Sequence, residues 1–199
     1  MNTHSKSRRL VLATTFAAAA MLLPAVLHAQ EAGIMLGDRA PDAAVQTLDG
    51  KDATLSQFIG KQPVVLEFWA TWCPLCRQLE PAMQAAREKH AGKVTFVSVG
   101  VPQNQTAEKQ REYATKNHLG GEFVFDRDGK AIEAYKVPHT SYVVVLDAAG
   151  KVVYTGVGPE QDIEAAVSKA LPMMDMKMDG KMDDRMDHSA DGMMHKKPR

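Results

Sequence analysis

Only two of the 199 residues are cysteine, aromatic side chains make up 6% of the chain, and 24 basic residues cancel 24 acidic ones. Each shortage excludes something. Two cysteines cannot build the disulfide framework of a small secreted scaffold. A chain without surplus positive charge has no electrostatic footprint for a phosphate backbone, so no nucleic-acid partner is expected. Only one uncharged apolar stretch, Leu10 to Leu27, approaches the length of a membrane span, which excludes a polytopic membrane protein.

That stretch follows Lys6, Arg8 and Arg9 and ends in Leu27-His28-Ala29. A charged start, an apolar centre and a small residue at the end read as an export signal spanning residues 1–29, cleaved after Ala29. Its length also suits an uncleaved single anchor. Without it the chain carries 21 basic and 24 acidic residues, net −3. Export implies an oxidising, periplasmic setting, and there the two cysteines matter. Cys73 and Cys76 lie three positions apart, too close to gain much loop-closure entropy from a structural bridge. Such a spacing belongs to a redox pair or to half of a metal site.

The neighbouring residues say how the pair is held. Val64 to Trp69 is apolar except for Glu67, as in a strand covered on both faces. Pro74 suits the first position of a helix, where its missing N–H costs nothing. A strand that ends at Cys73 and turns into a helix places that sulfur among unpaired N–H groups at the positive end of the helix dipole, which stabilises a thiolate. The helix is expected to reach about His90, with a kink at Pro81. Residues 30–37 read as a linker, and Asp49-Gly50 as the turn of a short hairpin. Strands are expected at Val94–Val101 and Glu122–Phe125, with a polar helix over Thr106–Asn117 between them. A hairpin of Ser141–Leu146 and Lys151–Thr155 and a helix over Pro159–Leu171 complete the pattern. Alternating strands and helices argue for an α/β sandwich. From Pro172 onward eight of the twelve methionines are interleaved with aspartate, lysine and histidine, without apolar periodicity, and 172–199 reads as a disordered tail.

The run Glu67-Phe68-Trp69-Ala70-Thr71-Trp72-Cys73-Pro74-Leu75-Cys76-Arg77, with Pro81 five places after Cys76, resembles the thioredoxin superfamily, and most nearly the exported TlpA/ResA-like thiol–disulfide oxidoreductases. The similarity extends through Asp126-Arg127-Asp128-Gly129 and Ala134-Tyr135-Lys136-Val137, covering about 38–171. It implies a thioredoxin-like fold, a central mixed sheet flanked by helices, and a redox-active Cys73–Cys76 disulfide. It also implies that Cys73 attacks a partner's disulfide and Cys76 resolves the mixed disulfide. No cofactor is required. Disulfide-bearing exported proteins are the implied substrates, with a membrane-borne thiol donor restoring the reduced pair.

Two departures stand out. Relatives of the TlpA/ResA kind usually carry glutamate three residues after the second cysteine, where this chain has Leu79, with Glu80 next. Glu67 instead matches the buried carboxylate of thioredoxin. Desolvated behind the pair, it could take the proton of Cys76; otherwise it is a strand glutamate at a wetted position. Counting from Tyr135, the position of the family's cis-proline holds Ser141, and Pro138 falls three residues early. Either Pro138 is cis in a rearranged loop or the cis-proline is absent.

The same loop, Val137-Pro138-His139-Thr140, resembles the histidine loop of Sco-like copper proteins. Two thiolates and one imidazole, Cys73, Cys76 and His139, would suit copper, and so would the thioether and imidazole groups of Met186, His188, Met193, Met194 and His195. The alternatives are a loop histidine that tunes Cys73 by charge and a merely solvated tail. Two functions follow: a thiol–disulfide oxidoreductase, in this setting with copper proteins among its partners, or a Sco-like copper chaperone. A thiol peroxidase is not expected, since Ala70-Thr71-Trp72-Cys73 lacks the arrangement of proline and threonine ahead of an attacking cysteine of that kind.

Overall fold

The computed structural model describes residues 33–172. Seven strands form one sheet in the order β2-β1-β5-β4-β3-β6-β7. The first half supplies β1 (Ala44–Thr47), β2 (Asp52–Thr54), β3 (Val64–Trp69), α1 (Pro74–Lys89) and β4 (Thr95–Gly100). The second supplies α2 (Ala107–Lys116), β5 (Glu122–Phe125), α3 (Lys130–Ala134), β6 (Tyr142–Leu146), β7 (Val152–Val157) and α4 (Ile163–Ser168). Strand β3 pairs parallel with β4 and antiparallel with β6, so it sits in the middle of a mixed sheet with every residue buried. The apolar sequence of β3 is what a strand covered on both faces requires.

Side-chain alternation along β3 sorts the core into two layers. Val64, Leu66 and Phe68 join Val97, Val99, Tyr135, Tyr142 and Val144 on one face, where the Phe68 ring lies 5.5 Å from Tyr135 and 6.0 Å from Tyr142. Val65 faces the other way, onto Leu79, Met83 and Ala86 of α1 and Ile163, Ala166 and Val167 of α4. Glu67 shares the parity of Val65 and therefore points beneath α1. The strand's period of two thus places a carboxyl group under the helix that carries the cysteines.

The elements follow the expected order, with differences at their ends. Helix α1 runs through Pro81 to Lys89. Helix α4 begins at Ile163, because Asp162 caps it by accepting the N–H of Ala165 at 2.9 Å, leaving 159–161 as loop. Helix α3 is missing from the sequence-based reading. It is five residues long, below any useful periodicity, and it is nucleated by a buried acid: Asp126 accepts from Ala131 N–H (3.1 Å) and Ile132 N–H (2.8 Å). Gly129, at φ 71°, makes the left-handed turn into it. The segment 30–37, expected as a linker, is docked in its described part: Ile34 is buried, its N–H donates to the Tyr142 hydroxyl (3.0 Å), and Gly37 N–H donates to Val152 (2.8 Å). His90, assigned no role from sequence, closes α1 as a buried side chain whose Nε2 meets the Glu164 carboxylate at 3.0 Å and ties α1 to α4.

The proline question has an answer. No peptide bond among the described residues is cis, so Pro138 does not stand in for a cis-proline. Ser141 occupies that place in left-handed conformation, φ 64°, fully buried, its N–H donating to Phe68 at 2.8 Å. The loop thereby joins the β3–β6 ladder one residue beyond the Phe68–Tyr142 pair. No helix among the described residues is long and apolar enough to cross a membrane.

Candidate active site

Chain direction brings the two cysteines to the end of β3 next to the start of α1. Cys73 is the N-cap of α1, extended at φ −78° and ψ 111°, with Pro74 just inside the helix. Its Sγ accepts the backbone N–H of Cys76 at 3.1 Å, which is what a serine or aspartate oxygen does at an ordinary cap. Cys73 and Cys76 are joined as a disulfide, their Cα atoms 5.4 Å apart. Once reduced, the leading sulfur is left as the only cap of a sixteen-residue helix, facing its free N–H groups. Such a position lowers a thiol's pKa below the free-cysteine value.

Both cysteines lie under the surface, Cys73 at 1% exposure, between the exposed side chains of Trp72 and Leu75. Trp72 is held in place by an indole N–H bond to the Gln103 carbonyl (2.7 Å). The turn itself is held by a residue that carries no local sequence signal. Gln105, buried in the loop after β4, donates to the carbonyls of Val101 (2.5 Å) and Trp69 (3.4 Å), and its Oε1 accepts the N–H of Thr71 (2.9 Å). One amide thus fastens the Trp69–Cys73 turn to the next strand's end. Its partners lie up to 36 positions away, so no local pattern announces it.

Glu67 is 3% exposed, paired across the sheet with Ser98 and Val143. A cavity of about 30 Å³, room for one or two waters, is lined by Glu67, Ser98, Trp69, Cys76, Arg77 and Glu80, together with Tyr113 and Leu119. Burial pushes the Glu67 carboxyl up to about 8; the like charge of Glu80 adds to that and Arg87 opposes it. A carboxylic acid with that value, sharing a small cavity with the second cysteine, can give or take a proton near neutral pH. The reading of Glu67 as a wetted strand glutamate is therefore corrected: it is enclosed. Leu79, which replaces the expected glutamate, is fully buried against β3, and the acid that reaches the cavity is Glu80.

His139 is exposed on its loop. Among the described residues no three His, Cys, Asp or Glu side chains come close enough to hold a metal ion, and both sulfurs are bonded to each other. The set Cys73, Cys76 and His139 is thus not brought together as a copper site, and no step below runs through a metal. Met186, His188, Met193, Met194 and His195 lie outside the described residues, as does the signal segment.

A cysteine pair at a strand-to-helix turn of a thioredoxin-like sheet defines a thiol–disulfide oxidoreductase. Comparison with known proteins agrees. The chain belongs to the Redoxin family, whose model matches residues 35–171, as a TlpA/ResA-like member of the thioredoxin superfamily. It is 33% identical to the thioredoxin-like protein YneN of Bacillus subtilis over 138 residues, 68% of this chain and 80% of that protein. With the thiol-disulfide oxidoreductase ResA of Geobacillus thermodenitrificans it shares 28% identity across 84% of this chain and 99% of the relative. The crystal structure of a thiol:disulfide interchange protein from Chlorobium tepidum superposes with a TM-score of 0.58 at 26% identity, covering 70% of this chain and 99% of that one. The protein is a protein-disulfide oxidoreductase.

Proposed function

We propose that this oxidoreductase is exported to the periplasm and works there as a reductant of specific protein disulfides. The observation that carries the mechanism is Cys73 Sγ acting as the cap of α1. In the reduced protein the Cys73 thiolate attacks one sulfur of the partner's disulfide in line; a new S–S bond forms and the partner's other sulfur leaves as thiolate, taking a proton from solvent. The Cys76 thiol then passes its proton to the Glu67 carboxylate and attacks Cys73. The mixed disulfide breaks and the partner's second cysteine departs reduced. The two electrons given to the partner appear as the Cys73–Cys76 disulfide. A dithiol donor reverses the sequence: its thiolate attacks Cys73, Cys76 leaves, and Glu67 returns the proton.

The charged start and apolar run of residues 1–29 support export, and the membrane-borne donor follows from the need to restore the thiols in an oxidising compartment. The methionine- and histidine-rich stretch from Met173 to His195 supports copper proteins as partners, with the metal as their cargo. The test is reduction of insulin by the full chain with dithiothreitol as donor. The expected result is acceleration of insulin B-chain precipitation by about tenfold or more over dithiothreitol alone, at micromolar protein. A rate no higher than the donor's own would end the reading.

A further inference from the structure

The cavity behind Cys76 holds a second carboxylate that the mechanism above does not use. Glu80 follows Cys76 by four residues, and Arg87 follows Glu80 by seven, so all three share one face of α1. The Arg87 guanidinium grips Glu80 with two nitrogens, Nη1 to Oε1 at 2.8 Å and Nη2 to Oε2 at 3.2 Å. Gln84 Oε1 accepts from the same Nη1 at 2.8 Å. The arginine side chain is only 8% exposed and the glutamate 24%. A pair this far from water gives back in Coulomb attraction little more than its desolvation costs, so it is a poor device for stability alone. Its location suggests another purpose, because Glu80 lines the same small cavity as Glu67 and Cys76.

We propose that Glu80 and Arg87 form a positioning pair for Glu67, a balanced charge couple at the cavity that governs when the buried carboxyl gives and takes the proton of Cys76. This rests on the mechanism proposed above. The two members act on Glu67 in opposite senses, Glu80 favouring its protonated form and Arg87 its ionised form. Held together they oppose each other, and burial is the larger effect. Separated, each would act unopposed: loss of Glu80 leaves the Arg87 guanidinium without its carboxylate, and loss of Arg87 leaves the Glu80 carboxylate without its guanidinium. The two substitutions must therefore move Glu67 in opposite directions. The other polar groups that face the cavity are Cys76 and Arg77 from α1, Ser98 from β4 and Tyr113 from α2, and across the sheet Glu67 pairs with the apolar Val143 of β6.

The test follows the reduced full chain reacting with 5,5′-dithiobis(2-nitrobenzoate). Attack by Cys73 forms the mixed disulfide and releases one thionitrobenzoate. Attack by Cys76 releases the second, and the rate of that second phase against pH reports the proton acceptor. Glu80→Gln is expected to lower its midpoint by about half a pH unit or more, roughly a threefold change in rate on the flank. Arg87→Met is expected to raise it by a similar amount, the double variant to return close to the parent, and Glu80→Asp, which keeps the charge, to leave it near the parent. If Arg87→Met fails to fold, Glu80→Gln against Glu80→Asp decides the question. Midpoints that stay at the parent value, or that move in the same direction in both single variants, overturn the pair. The underlying mechanism fails separately: then Glu67→Gln leaves the parent's second-phase midpoint unchanged.

Discussion

Replacing Cys76 with serine turns the catalyst into a trap. Cys73 still attacks, but nothing displaces the bound partner, so the variant accumulates one equivalent of mixed disulfide through Cys73. Insulin reduction falls to close to the donor's background. Cys73→Ser falls as far and traps nothing, because the sulfur that forms the first bond is gone. The asymmetry comes from position: Cys73 caps the helix, whereas Cys76 lies inside its first turn and faces the cavity. Non-reducing electrophoresis and mass analysis of the adduct read the outcome. Equal trapping by both variants would mean that either sulfur can lead.

Glu67→Gln is expected to change how the oxidised protein's stability depends on pH. The unfolded carboxyl titrates at about 4.5 and the folded one at about 8. Below pH 4.5 both states hold the proton. Between the two values the folded state holds a proton that the unfolded state has released, so unfolding free energy falls as pH rises through this window. The contribution is fully present below 4.5 and gone above 8. At about 1.4 kcal/mol per unit the loss amounts to several kcal/mol. Glutamine does not titrate, so the variant lacks this slope, and its advantage over the parent widens by that amount from pH 4.5 to 8. Denaturant unfolding at several pH values checks it, and parallel profiles would contradict it. The same variant slows resolution by about 10²-fold, the range of a lost general base.

Much of the architecture was readable because it follows from period and caps. An apolar run broken only by Glu67 gave β3, Glu122–Phe125 was delimited by the Asp-Arg-Asp-Gly stop, and Pro74 marked the start of α1. The cysteine pair was readable from spacing alone. Other features were fixed by contacts distant in sequence. Gln105 is a loop glutamine until the fold sets it beneath Thr71. Ser141 is only a count from Tyr135 until its left-handed backbone bonds to Phe68, and the resemblance to a copper-binding loop at His139 had no way to register that this histidine is exposed. Glu67 was the intermediate case: the odd residue in an apolar strand was visible, but its enclosure depends on the packing of α1 over β3, with Leu79 fully buried and Glu80 lining the same cavity. Arg87 could have been found, since Glu80 and Arg87 lie two turns apart on one helix face.

The account depends on Cys73 being ionised at the head of α1. The direct measurement is the rate of iodoacetamide alkylation at Cys73 of the reduced full chain against pH, with the modified residue identified by mass spectrometry. The expected midpoint lies about 1.5 units or more below the free-cysteine value of about 8.5. A midpoint at 8.5, with Cys73 no more reactive than a peptide cysteine at neutral pH, would contradict it.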